Sequence, residues 1–300
     1  MKRLTIVVLP ILILALILGA TGCDGDGETD AVEGASPTPI RTPAPTPTSI
    51  RTPTHTPSPT ESAFEWINEG ALRGGYIDLA LVRSDKDLVK MYEGFANDTS
   101  AQEEFRDFGI DQSQIDYIVY QEMDYEIATL ILGRFDLDNI REKLGELGFT
   151  SGIHENTEFW EGNYTKYEAT GFAFMPDKLI WGHAESVRSF VSTVKGLKGS
   201  FYDIPETKGV LDKIPDWAII VVELTFDVLG DYGIPNTDVA AWAMAKKDRY
   251  MLNAAEVFRC ADAKTASQLC TYLGSSDDVH VTCEGEFIIV EREAPIEPST

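Results

Sequence analysis

From residue 62 onward, apolar and polar positions alternate with two clear periods. Where apolar residues return every second position or run together over seven to ten residues, the chain predicts strands. These segments are "YIDLALV" from Tyr76, Ile115–Gln121, Glu126–Arg134, "WAIIVVEL" from Trp217, Val239–Ala245 and Tyr250–Arg259. Two hairpins follow the same logic, "FAFMPDKLIWG" from Phe172 and "HVTCEGEFIIV" from His280, with Pro-Asp and Glu-Gly at their turns. Helical periodicity places Leu137, Ile140, Leu144 and Leu147 on one face. A second helical face holds Ala263, Ala266, Leu269, Cys270 and Leu273, and a third, over Glu185–Lys195, holds Val187, Phe190, Val191 and Val194.

The order of these elements repeats. Asp136 and Asp262 each precede a helix as N-caps, and Gly148 and Gly274 each follow one, at a constant offset of 126. Two apolar strands precede each helix and a hairpin follows it. The expectation is an α+β fold of two repeated halves, 62–200 and 201–300, each an antiparallel sheet with helices packed on one face. The first half carries an excursion of roughly 18 residues, "TSGIHENTEFWEGNYTKY" at 150–167, without a counterpart in the second.

The segment before residue 62 has a different character. Lys2 and Arg3 form a short basic start, and Thr5–Leu18 is an apolar run interrupted by Pro10. That run is short of the ~20 residues a membrane-spanning helix needs. A basic start, a short apolar stretch and small residues before a cut site are the features of a secretory signal over 1–22. Gly19–Gly22 supply the small residues and Cys23 follows. This "GATGC" resembles the lipobox of bacterial lipoproteins, with Ala20 where that family favours Leu. The resemblance implies cleavage before Cys23 and acylation of its thiol and new amino terminus with two or three chains such as palmitate. An uncleaved signal anchor is the alternative. The resemblance further implies a lipid-anchored cell-membrane protein facing the extracytoplasmic side. Asp24 directly after the cysteine is similar to the inner-membrane retention signal of Gram-negative lipoproteins.

Residues 23–61 then form a tether. Asp24, Asp26, Glu28 and Asp30 alternate like the start of a calcium loop. Thr29 and Ala35 stand where that loop needs Gly and Glu, so the segment is a solvated spacer. Ser36–Thr60 is almost entirely Pro and Thr, which cannot bury a core and favours extended polyproline II. At ~3.1 Å per residue it reaches roughly 75 Å. The folded part beyond it contains 43 acids against 21 Lys and Arg, a charge of −22. Phosphate neutralisation needs basic patches, so nucleic acid is excluded as a partner.

Three cysteines remain after Cys23. In the repeat, Cys270 matches Leu144 and Cys283 matches Met175, both apolar positions, while Cys260 matches Arg134 at an exposed strand end. An exported chain permits disulfides, and the expected bridge is Cys270–Cys283, with three free thiols as the alternative. A zinc site through these cysteines and His280 lacks paired-ligand spacing, so no metal or other cofactor is expected.

No catalytic signature is present. HExxH, GxSxG and phosphate-loop patterns are absent from the sequence, and the domain histidines are His154, His183 and His280. The candidate binding residues are His154, Phe159, Trp160, Tyr164 and Tyr167 of the excursion, since loop aromatics suit recognition of a sugar, apolar ligand or protein. The plainer reading makes the excursion an extra edge strand whose aromatics cover the core. The functional expectation is a non-catalytic binding or interaction lipoprotein with a protein or small-ligand partner. Its alternatives are an envelope hydrolase using His154 or His183 with carboxylates, or a structural partner of a membrane complex. The pattern also loosely resembles uncharacterised bacterial and archaeal envelope lipoprotein ectodomains, which adds no activity.

Overall fold

The computed structural model describes residues 63–89, 105–124, 126–164, 167–215, 221–226, 237–249, 251–274 and 279–295. The expected signal, Cys23 and the expected tether lie outside them. In chain order the elements are β1 (Arg73–Asp78), α1 (Leu79–Ser84), β2 (Ile115–Met123), β3 (Glu126–Gly133) and α2 (Leu137–Glu146). Next come β4 (Thr150–His154), β5 (Thr157–Tyr164), β6 (Tyr167–Phe174), β7 (Lys178–His183), α3 (Ala184–Val194) and α4 (Pro205–Leu211). The remainder is β8 (Val221–Phe226), β9 (Thr237–Lys246), β10 (Met251–Cys260), α5 (Ala263–Leu273), β11 (Val279–Glu284) and β12 (Phe287–Pro295).

The fold is α+β, and the strands form one antiparallel sheet rather than one per half. Its order is β11-β12-β10-β9-β8-β1-β2-β3-β7-β6-β5-β4. β1 pairs with β8 across the middle, Tyr76 facing Val222 and Ile77 facing Val221. Outward from that seam, one side runs β1-β2-β3-β7-β6 and the other β8-β9-β10-β12-β11. The excursion supplies the two additional strands, β5 and β4, at one end.

Helices cover both faces, which corrects the one-face expectation. The reason is legible in the strands: "IVY" in β2 and "ATLIL" in β3 are continuous apolar runs, the mark of a sheet buried on both sides. Val119 and Leu130 point into a core with Val187, Phe190 and Val191 of α3 and Val210 of α4. Their neighbours Ile118 and Ile131 point the other way, toward Ile140 and Leu144 of α2, Phe108 and Phe172. On the second half α5 inserts Ala266 against Trp242, Phe258, Cys260 and Ile288. Cys260 is therefore buried, not exposed. Asp136 and Asp262 are N-caps as expected, accepting from the Asn139 and Thr265 N–H groups. The expected offset of 126 does not keep the face in the strands: Leu132 packs toward α3, whereas Phe258 packs toward α5. An offset one residue out inverts the face of every strand side chain.

"YIDLALV" is also corrected. The strand stops at Asp78, whose carboxylate accepts from the Leu81 N–H at 2.7 Å and starts α1. α3 begins directly after β7, and Gly182 permits this: its φ is +147°, and a Cβ there would meet the Ile127 carbonyl at 2.2 Å.

Candidate functional site

The excursion is a hairpin at the end of the sheet. β4 pairs with β5 from Thr150–Glu161 to His154–Thr157, closed by Glu155 and Asn156. Both turn residues have left-handed φ, +48° and +57°, as the two-residue turn matched to strand twist requires. The turn is tied to α3: Ser192 Oγ donates to Glu155 Oε1 at 2.9 Å, and Lys195 Nζ donates to the Glu155 carbonyl.

Most of its aromatic surface turns inward. Phe159 is buried in the core beneath α3, with the Arg188 guanidinium 4.7 Å from its ring centre and the His154 ring at 6.0 Å. Tyr164 is buried on the opposite face, where its hydroxyl donates to Asp107 Oδ2 at 2.7 Å. Trp160 packs half-buried on that same core, and its Nε1 donates to Glu158 Oε1 at 2.8 Å. Tyr167 opens β6 and pairs with Tyr164. His154 ends β4, with Nε2 3.9 Å from Glu155. The extra-edge-strand reading thus describes the arrangement of Phe159 and Tyr164, and Phe159 and His154 come together.

What stands at the surface is the edge backbone itself. Thr150, Ser151, Gly152 and Ile153 are all exposed, and Ile153 is 74% accessible. Sequence reasoning passed over Ile153. The available signal was its place in a neutral, proline-free run just before a turn residue pair. Behind the edge, Arg141 of α2 grips Glu158: Nε donates to both carboxylate oxygens at 2.9 and 3.1 Å and Nη2 to Oε2 at 2.8 Å. That guanidinium holds the Glu158 carboxyl below its ordinary range.

The other histidines stand apart from this hairpin's chemistry. His183 is the last residue of β7 and the N-cap position of α3, and its side chain makes no cap bond. Its Nδ1 lies 2.5 Å from Glu126 Oε2. Burial raises the Glu126 carboxyl above its usual range, His183 opposes that, and Asp124 and Glu185 add to it. His280 lies on the opposite edge strand, β11. Each of His154 and His183 thus faces its own acid.

Cys270 and Cys283 are joined in a disulfide between α5 and β11, as expected from the repeat. Sharing a bond, neither is a free thiolate for a metal. Among the described residues no group of three His, Cys, Asp or Glu side chains gathers as a metal site.

The sequence matches no protein-family model and no curated protein. Solved structures do match. The chain has the fold of TP0453. Crystal form I of TP0453 superposes with a TM-score of 0.51 at 11% identity, over 79% of this chain and 94% of that one. Crystal form III gives 0.50 at 10% identity, over 78% and 94%. Crystal form IV gives 0.51 at 9% identity, over 78% and 93%. At such identity the likeness to TP0453 is one of fold and transfers no residue role.

Proposed function

We propose that the chain is a lipid-anchored envelope protein whose folded domain is a non-catalytic binding module. Cleavage before Cys23 and acylation there fix it to the outer face of a membrane, and the Pro/Thr tether holds the domain away from the lipid. The observation that carries this reading is "GATGC" after a short basic and apolar leader, followed at once by chain unsuited to a core. One feature agrees with it. The disulfide suits an oxidising, extracytoplasmic setting.

The reading includes a duplicated origin for the domain. The matching strand paths on the two sides of the β1–β8 seam support it, as do the equivalent N-caps Asp136 and Asp262. On this view the β4–β5 hairpin is an addition to one copy.

The test is chemical. Mass spectrometry of the protein expressed in a lipoprotein-processing bacterium is expected to find an acylated Cys23 as the first residue. Cys23→Ser is expected to abolish the acyl mass and move the domain from the membrane to the soluble fraction. A chain that retains Met1, or a Cys23→Ser protein that stays equally membrane-bound, overturns the anchor.

A further inference from the structure

We propose that β4 is a docking edge, where an extended, positively charged segment of a partner protein adds to the sheet as a further strand. This deepens the binding-module reading and rests on it.

The first ground is the character of the edge. An edge strand offers unpaired N–H and C=O groups, and proteins ordinarily guard such strands with charges, prolines or bulges. Thr150–Ile153 has none of these: it carries no charge and no proline, and its pairing with β5 runs through five positions without a register shift. Its four residues are exposed. The other end of the sheet is guarded. β11 is tied to α5 through Cys283, and Glu284 is paired with Lys213.

The second ground is preorganisation, which lowers the ordering cost of binding. The β4–β5 turn is held by Ser192 and Lys195, Phe159 is seated under Arg188, and Glu158 is clasped by Arg141. The strand beneath any incoming segment is therefore already fixed. Ser151 and Ile153 share one face of β4 and can take alternate side chains of a docked strand, Ile153 offering the apolar contact.

The third ground selects the occupant. Glu158 and Glu161 on the neighbouring β5 are already paired with Arg141 and Arg188, so the charge that selects the occupant is that of the folded part as a whole, −22. A second copy of the chain brings the same charge and is repelled. A five-residue edge also buries far less than the ~1,000 Å² that a stable dimer needs. A basic strand from another protein is drawn to that net negative charge.

The experiment uses the full-length protein in detergent and a short labelled peptide alternating Val or Thr with Lys, followed by fluorescence anisotropy. Expected is saturable binding that weakens at least about tenfold in three cases. These are exchange of the peptide's Lys for Glu, N-methylation of its amides along one edge, and Ile153→Lys or Gly152→Pro in the protein. Amide exchange of β4 should slow when the Lys peptide is present. If Gly152→Pro alters the circular dichroism, the N-methylated peptide against the unaltered protein decides. The proposal is overturned by no saturable binding, or by equal binding of the N-methylated peptide, which marks simple charge attraction. It is also overturned by self-association that Ile153→Lys abolishes, which gives the edge to a second copy. Cys23→Ser should leave peptide binding unchanged, so failure of the anchor and failure of the edge are read separately.

Discussion

Glu256 is a carboxylate placed where a strand side chain should be apolar. It lies in β10, is 8% exposed, and stands across from Trp242 on β9 and Val290 on β12. Arg292 meets it, Nη2 to Oε1 at 2.6 Å. Burial raises the Glu256 carboxyl above its ordinary range, and Arg292 opposes that shift. Removing one partner of a buried pair leaves an uncompensated charge, so Arg292→Met is expected to cost about 3 kcal/mol near neutral pH. Exchanging both, Arg292→Met with Glu256→Leu, is expected to recover most of it, because both desolvation costs vanish together. The pH dependence has a definite sign. A carboxyl whose folded pKa lies above its unfolded one takes up a proton on folding, so stability rises as pH falls through the folded value. In Arg292→Met that value rises further, and the deficit should shrink on acidification. Urea unfolding at several pH values checks this, and a deficit that grows on acidification contradicts it.

The elements differ in what fastens them. α2 seats Ile140 and Leu144 deeply against Phe108 and Phe172, while Ala266 is the buried residue of α5. α5 therefore depends more on its covalent tie to β11. Cys270 and Cys283 are 13 residues apart, and loop entropy puts the loss of such a bridge at about 3 kcal/mol. Cys270→Ser with Cys283→Ser should lower stability by about that amount, with faster hydrogen exchange first in Ala263–Leu273 and Val279–Glu284. Uniform acceleration across the sheet would show that α5 is not a separately fastened element. The expected pair forms, although the aligned halves put Cys283 at a core position and it is exposed. The helices were legible in the sequence through their caps and spacing, and the strands β2, β3, β9 and β10 through their apolar runs. The side on which a strand residue lies was not. Cys260, expected at the surface from its alignment with Arg134, lies in the core. Two-sided burial was present in "ATLIL" but was outweighed by the simpler one-faced layer. α4, seven residues opening on Pro205, is too short for periodicity to declare it. The candidate edge was least legible, since edge status belongs to the pairing order of the whole sheet, not to Thr150–His154.

At the scale of the molecule, residues on both sides of the β1–β8 seam share one interior. Val119 and Leu130 from one side of the seam, with Val239, Ala241 and Val257 from the other, contribute to one core beneath α3 and α4. A buried polar network reinforces the entry of the chain into it. Asn68 Nδ2 donates to Thr193 Oγ1 at 2.8 Å, and Gln121 Oε1 accepts from the Asn68 N–H at 2.9 Å. Cutting between residues 200 and 201 would expose β1 and β8, central strands whose Tyr76 and Ile77 are buried on opposite faces. It would also part α3 from α4, which lies against β9 and β10. The whole domain is therefore expected to unfold in one calorimetric transition, with van't Hoff and calorimetric enthalpies in agreement. The 62–200 and 201–300 fragments should each lack cooperative unfolding alone and regain it when co-expressed. Nuclear magnetic resonance of the 62–200 fragment gives the sharpest reading. A well-dispersed spectrum from it alone would mean that the halves are autonomous folds and that the core joining them is a docking interface.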